Sequence, residues 1–202
     1  MSELERRIGG EMPGGWDGIR EDLLRRASDE ALIDLAYERH ESPFGDLLVV
    51  AGEEGIVRIA LGAEPEEVVL RDLARRASPR IARTGRTPIA VARSQLDAYF
   101  EGDLREFDLP LDWRLTRGFR REVLRETAAI PYGATASYAE MADRAGSPRA
   151  VRAAGTALAT NPLPIVVPCH RVLRSDGKVG SYLGGTSMKE SLLRLERERA
   201  GT

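Results

Sequence analysis

The sequence predicts an α/β protein in two parts: a small mixed domain over residues 36–109, then a mainly helical domain over residues 117–202 that carries a helix-turn-helix. Three observations predict it. Leu47-Leu48-Val49-Val50-Ala51 and Ile56-Val57-Arg58-Ile59-Ala60 flank Gly52-Glu53-Glu54-Gly55, two short apolar runs about a turn, which reads as a β-hairpin. Beyond residue 116 the apolar spacing becomes helical, and two short helices are joined by a tight turn containing Gly146. Charge also changes sign between the parts. Residues 115–202 hold 14 Lys/Arg against 8 Asp/Glu, a net of +6, whereas residues 1–114 hold 16 against 24, a net of −8.

Residues 1–35 form an N-terminal extension. A Gly/Pro cluster over residues 9–15 precedes a charged, helix-like stretch with Leu23, Leu24, Leu32 and Ile33 as apolar points, and nothing in it indicates a function. After the hairpin, helical periodicity covers residues 66–76. A second helix is opened by Thr87 as N-cap and Pro88 as first helical residue, runs through Leu96, Tyr99 and Phe100, and stops at Gly102. Residues 110–116, with Pro110 and the change of charge sign, mark the joint. Residues 119–129 follow as a helix with Phe119, Val123 and Leu124 at core spacing. Ile130-Pro131-Tyr132-Gly133 ends it. Ser137 and Glu140 have the spacing of a capping box, in which each side chain satisfies the other residue's orphan amide at a helix start. Ser147 and Pro148 are expected to cap and open the next helix, residues 148–160. That helix is nearly free of side-chain bulk at Ala150, Ala153, Ala154, Gly155, Ala157 and Ala159, while Arg149 and Arg152 project from it. Its bareness suits close approach to another body or packing against a neighbouring helix.

Composition narrows the chemistry. The 202 residues are 42% hydrophobic and 31% charged, which suits one or two small domains with real cores and excludes a disordered chain. No apolar run is long enough to cross a bilayer and the N-terminus lacks a signal sequence, so the expected location is cytoplasmic. A single cysteine, Cys169, cannot form an internal disulfide, and with only His40 and His170 beside it no four-ligand Cys/His zinc site can be built. No metal and no cofactor are expected. The positive C-terminal part could meet a polyanion, although solvated helix faces would have the same composition.

The segment Asn161-Pro162-Leu163-Pro164-Ile165-Val166-Val167-Pro168-Cys169-His170-Arg171-Val172 is expected to contain a buried strand, Ile165-Val166-Val167, that runs into a proline and delivers a thiol beside an imidazole. Neighbouring side chains on an extended chain point to opposite faces, so Cys169 and His170 touch only if Pro168 introduces a turn; otherwise the proton travels through an intermediary such as water. The thiolate is the nucleophile, and with a free pKa near ~8.5 it needs a base or a positive field, for which His170 and Arg171 are candidates.

Pro168-Cys169-His170-Arg171, preceded by the Asn161 to Val167 string and followed by Gly180-Ser181-Tyr182-Leu183-Gly184-Gly185, resembles the active-site signature of the O6-alkylguanine-DNA alkyltransferases, the methylated-DNA-protein-cysteine methyltransferases. The similarity spans residues 37–196 and is dense from Phe119 onward. It implies a ribonuclease H-like N-terminal domain, a winged-helix-like C-terminal domain, and irreversible transfer of an alkyl group from O6-alkylguanine, and possibly O4-alkylthymine, to Cys169. The implied partner is double-stranded DNA, met by a monomer near the nucleoid and away from any membrane. By position, Cys169 matches the acceptor, His170 the base acting through a bound water, Glu196 the carboxylate orienting it, and Asn161 the hinge. Tyr138 matches the tyrosine that displaces a phosphate and donates to the departing guanine. Arg152 matches the finger that fills the gap left by the flipped base. The DNA-facing set implied is Arg152, Tyr138, Ser137, Ala150, Ala153, Gly155 and Arg171; the base pocket implied is Pro164, Val172, Tyr182 and Leu183.

The match departs in places. Leu183 stands where some members place a serine that donates to the guanine O6, which bears on substrate preference. Leu124 replaces a common tryptophan and Arg120 a common glutamine. Two other readings share these residues: a cysteine hydrolase using Cys169, His170 and Glu196, which would turn over, and a non-enzymatic lesion-binding protein, which would not need Cys169.

Overall fold

The computed structural model describes residues 15–200, so residues 9–14 of the Gly/Pro cluster at 9–15 lie outside the described residues. The chain runs α1 (Gly15–Asp29), β1 (Leu35–His40), β2 (Leu47–Ala51), β3 (Ile56–Ala60), α2 (Glu66–Arg76), β4 (Ile81–Arg83) and α3 (Thr87–Glu101). The second part holds α4 (Gly118–Ala128), β5 (Ala136–Ser137), α5 (Tyr138–Arg144), α6 (Val151–Ala159), β6 (Val172–Leu173) and α7 (Gly185–Ala200). No described helix is long and apolar enough to cross a membrane.

The four-stranded sheet has the order β3-β2-β1-β4, with β1, β2 and β3 antiparallel and β4 parallel to β1. Strand β2 carries no polar residue because both faces of the sheet are covered. Leu47, Val49 and Ala51 face a core built with Ile89, Ala92, Leu96 and Tyr99 of α3, while Leu48 and Val50 face Val69 and Leu73 of α2. Alternate side chains of a strand point to opposite faces, and each aliphatic side chain so buried contributes about 1.5–3 kcal/mol. The hairpin and α2 occupy the expected residues. Helix α3 begins one residue earlier than expected, with Arg86 at the cap position and no side-chain cap, and ends at Gly102, whose left-handed φ of 84° lets its amide reach the last carbonyls.

The core of α3 continues without a break into the second part, through Val123 and Leu124 of α4, Met141 and Ala142 of α5, and Met188 and Leu192 of α7. β5 and β6 form a short parallel pair. At α5 the capping box is present in both directions, Ser137 Oγ accepting from Glu140 N at 3.1 Å and Glu140 Oε2 accepting from Ser137 N at 2.6 Å. The next helix differs from expectation. It starts at Val151, with Ala150 in the cap position, because residues 147–150 close a separate turn in which Ala150 N donates to Ser147 O at 2.8 Å.

The joint docks along β3. Ile56 N donates to Pro110 O at 2.8 Å, Asp112 N donates to Ile56 O at 2.9 Å, and Leu111 lies beside Ile56. Gly55 makes this approach possible, since its φ is 143° and a Cβ there would overlap the Pro110 carbonyl. Gly55→Ala should therefore combine backbone strain with a steric clash and cost about 2 kcal/mol or more, read as a lowered urea midpoint with an unchanged m-value.

Candidate active site

Asn161 opens a fully buried segment, and the strand expected at Ile165-Val166-Val167 does not form. Prolines at 162, 164 and 168 remove three donors from one short stretch, so the backbone folds into turns and satisfies itself locally. Val167 N donates to Leu163 O at 2.8 Å, and Ile165 takes a φ of 74°. A left-handed β-branched residue is strained by about 1–2 kcal/mol and persists where the surroundings fix it. Asn161 supplies that fixing. Its Oδ1 accepts from Leu163 N at 3.0 Å and its Nδ2 donates to Val167 O at 2.9 Å and to Cys169 Sγ at 3.2 Å. From outside, Ile59 N of β3 donates to Pro162 O at 2.8 Å.

Cys169–Arg171 forms a single 3-10 turn, Arg171 N donating to Pro168 O at 2.9 Å. A turn is thus present at the proline, yet Sγ is hydrogen-bonded to Asn161 and not to the imidazole. His170, fully buried, approaches Glu196 Oε1 through Nε2 at 2.8 Å. An ionised carboxylate can only accept, so Nε2 carries the proton and the lone pair of the neutral ring lies on Nδ1, which is buried and has no hydrogen-bond partner. Burial lowers the His170 pKa against the opposing pull of Glu196 and pushes the Cys169 thiol from 9.0 up to about 11, the Asn161 bond and the Lys189 charge only partly offsetting it. Both groups therefore rest uncharged at neutral pH.

Glu196 is 1% exposed and ionised. Burial alone would raise its pKa, but hydrogen bonds from His170 and Arg171 together with their charges override that and hold it at about 2, against an ordinary 4.5. Arg171 corrects an expectation. Placed among DNA contacts and as a candidate field on the thiol, it is instead 5% exposed, donates from Nε at 2.9 Å to Glu196 Oε2 and from Nη2 at 2.9 Å to Oε1, and gives Nη1 to Ile130 O. Its guanidinium is committed to the carboxylate and the Ile130 carbonyl and is almost closed off from solvent.

Two further groups belong to the site. Tyr99 of α3 donates its hydroxyl to Glu196 Oε1 at 2.7 Å, and Lys189 of α7, fully buried, donates Nζ to Val172 O at 2.6 Å and lies 5.9 Å from the centre of the Tyr138 ring. Lys189 was legible in principle, since a lysine inside the apolar stripe Met188, Leu192, Leu193 of a helix is out of place. Tyr99 carries no such signal, because an aromatic residue in the stripe Ile89, Ala92, Leu96 reads as core.

Tyr138 opens α5 half-buried, with burial and nearby Cys169 raising its phenol pKa, so the hydroxyl stays a donor. A Cβ on Gly180 would come within 2.5 Å of that hydroxyl. Pro164 and Val172 are buried, Leu183 packs half-buried against the core, and the Tyr182 ring meets His170 edge-on at 6.4 Å with its hydroxyl buried and without a partner. On α6 the residues divide by side. Ala154, Ala157 and Leu158 point into the core, Arg152 and Ala153 are exposed, and Ala150 and Gly155 are half-exposed. Ser137 lies half-buried at the neighbouring helix start.

Removing the charge of Glu196 should leave Arg171 buried and unpaired. Glu196→Gln is expected to lose about 3–5 kcal/mol of stability at neutral pH. Because the folded pKa lies below the ordinary value, the stability due to ionisation is present above about 4.5 and is lost as pH falls towards about 2, so the gap between wild type and Glu196→Gln should narrow over that window in urea titrations.

Residues 118–198 match the family model described as the DNA-binding domain of 6-O-methylguanine DNA methyltransferase, and residues 35–113 match its ribonuclease-like domain. The methylated-DNA–protein-cysteine methyltransferase of Mycolicibacterium paratuberculosis is 42% identical over 170 residues, covering 82% of this chain and 94% of the relative. The protein of that name from Methanosarcina barkeri is 39% identical over 160 residues, covering 79% and 96%. Among solved structures, the Mycobacterium tuberculosis O6-methylguanine methyltransferase aligns with a TM-score of 0.69 at 36% identity over 82% of this chain and 94% of that one. A structure of the Mycobacterium tuberculosis protein in complex with DNA aligns with a TM-score of 0.68 at 37% identity, over 81% and 94%. Residues 1–34 fall outside both family matches. With both domains matched and that degree of identity across most of its length, this chain belongs to the 6-O-methylguanine DNA methyltransferase family.

Proposed function

We propose that this protein, acting as a cytoplasmic monomer, repairs DNA directly by taking O6-alkylguanine out of a duplex and moving its alkyl group to Sγ of Cys169. The observation that carries the reading is the single thiol held by Asn161 beside an imidazole whose free Nδ1 is set by the bond from Nε2 to Glu196. This is a weak nucleophile with an oriented base, the arrangement needed to attack carbon.

The steps balance. The Sγ proton passes to His170 Nδ1 through one intervening water, since Sγ and the imidazole are not hydrogen-bonded to each other. The sulfur lone pair forms the S–C bond as the C–O6 bond breaks, and the released electron pair is taken up by the guanine ring, which regains a proton. Tyr138, held protonated, donates to the departing base. The alkyl carbon is out of reach inside a stacked duplex, so the base must leave the stack at a cost of about a few kcal/mol. The thioether product offers water no electrophilic centre, so one protein repairs one lesion. A hydrolase built on the same Cys, His and Glu would have no use for the bare outer face of α6 and its exposed Arg152.

Incubation with a duplex carrying O6-methylguanine should add the mass of one CH2 unit to the intact protein and place it on Cys169 in the peptide map. Turnover without a covalent change would overturn the reading. Arg152 makes no side-chain hydrogen bond or ion pair with the other described residues, so Arg152→Ala should leave stability within about 0.5 kcal/mol while slowing repair in duplex DNA and sparing reaction with free O6-methylguanine base. Equal losses on both substrates would remove the finger role.

A further inference from the structure

The carboxylate of Glu196 is shared. Oε1 accepts from His170 Nε2 at 2.8 Å, Arg171 Nη2 at 2.9 Å and Tyr99 OH at 2.7 Å, and Oε2 accepts from Arg171 Nε at 2.9 Å and Gly133 N at 3.2 Å. Tyr99 is the only one of these donors that comes from the N-terminal domain, 97 residues away along the chain. Its ring is fixed by Phe100, Phe107 and Tyr132, with centroids at 5.6, 5.2 and 6.2 Å, and its hydroxyl also lies 3.4 Å from His170 Nε2. Packing does not require that oxygen, since a phenylalanine would fill the same aromatic cage. The hydroxyl sits where the imidazole proton and the carboxylate meet.

We propose that Tyr99 is a positioning residue of the proton relay: by donating to Glu196 Oε1 it restrains the carboxylate's hold on the imidazole and keeps His170 Nδ1 available as the base. The argument is electrostatic. Each hydrogen bond donated to a carboxylate disperses its charge and lowers its affinity for a further proton. With Tyr99 removed, Glu196 would stabilise the imidazolium more strongly, and His170 would stay protonated, and so unable to accept the Cys169 proton, up to a higher pH. The other groups facing His170 are Lys189 of α7, Arg171 and Cys169 of its own turn, and Tyr182 of the loop between β6 and α7, all unchanged by substitution at Tyr99. Burial and the Glu196 charge hold the Tyr99 phenol far above its ordinary pKa, so it remains a donor throughout.

The inference rests on the alkyl-transfer reading above, and its test separates the two. With only His40 and His170 in the chain, the His170 ring resonances can be followed by NMR and distinguished through His40→Asn. Tyr99→Phe should raise the His170 titration midpoint by about half to one pH unit and move the acid limb of the single-turnover methyl-transfer rate by the same amount, so that the rate on that limb falls roughly three- to tenfold. DNA affinity should be unchanged. In a Glu196→Gln background the same substitution should shift nothing further, because no carboxylate remains to be tuned. A ring-fluorinated tyrosine at 99, a stronger donor of nearly the same shape, should move the midpoint the opposite way and serves if Tyr99→Phe does not fold. An unmoved His170 midpoint and acid limb in a folded variant would overturn the proposal, as would a shift that persists without Glu196. A wild-type protein that takes up no methyl group would instead overturn alkyl transfer, while the NMR titration would still report on the relay.

Discussion

The structure is organised around one buried negative charge. A carboxylate taken out of water is tolerated only when its lone pairs are met by donors, and Glu196 is met from α3 through Tyr99, from the turn after α4 through Gly133 N, and from the 3-10 turn through His170 and Arg171. Three separate segments must converge on α7 for that charge to be stable. Arg171 extends the network to Ile130 O and lies over the Tyr132 ring at 5.6 Å, so the turn at residues 130–133 is fixed by the same interaction that orients the imidazole. The chemistry of His170 and the docking of the two domains are therefore one problem. The hydrogen bond from Ile59 to Pro162, which ties β3 to the segment carrying the cysteine, adds a second link of the same kind.

That network leaves the nucleophile in reserve. Burial favours the neutral thiol and the neutral imidazole alike, so the thiolate and imidazolium pair lies uphill of the resting site. A hidden, protonated thiol is a poor target for oxidants and chance electrophiles. For a protein with one cysteine and no route back from a thioether, this restraint preserves its single turnover for a carbon brought into the pocket. The strain at Ile165 has a place in the same account. The left-handed turn lets Asn161 hold both the Val167 carbonyl and Sγ, which an extended strand could not have allowed.

What could be read from the sequence follows from how local the determinants are. The hairpin, α2 and the capping box at Ser137 depend on neighbours within a few residues, and they lie where spacing puts them. The segment before Cys169 has the aliphatic composition of a strand, but the prolines at 162, 164 and 168 forbid a ladder and the backbone turns instead. The helix after the turn begins at Val151 because Ser147 closes its own turn and does not cap. Glu196 sits in the apolar stripe of α7, where a carboxylate signals a buried partner, and Arg171 was the partner. Its place in the motif suggested an outward charge, and only the three-dimensional arrangement shows it turned inward. Tyr99 was beyond reach, since nothing local distinguishes a tyrosine that packs from one whose hydroxyl meets a carboxylate 97 residues later.

The bareness of α6 admitted two explanations in the sequence, core packing or approach by another body, and the structure divides the residues between them. Ala154 and Ala157 are buried against neighbouring helices, so their size follows from packing. Ala153 is exposed, and a Cβ on Gly155 would meet nothing closer than Tyr138 Cδ1 at 3.8 Å, an ordinary contact. Nothing inside the protein requires glycine there. Packing therefore accounts for the small residues on the inner side of α6 and leaves those on the outer side unexplained, and the long side chain of Arg152 is exposed on that same side. A surface of small side chains from which Arg152 projects, with Arg149 exposed just before the helix, suits a partner that comes close and accepts an inserted cation, as a duplex with an emptied base position would.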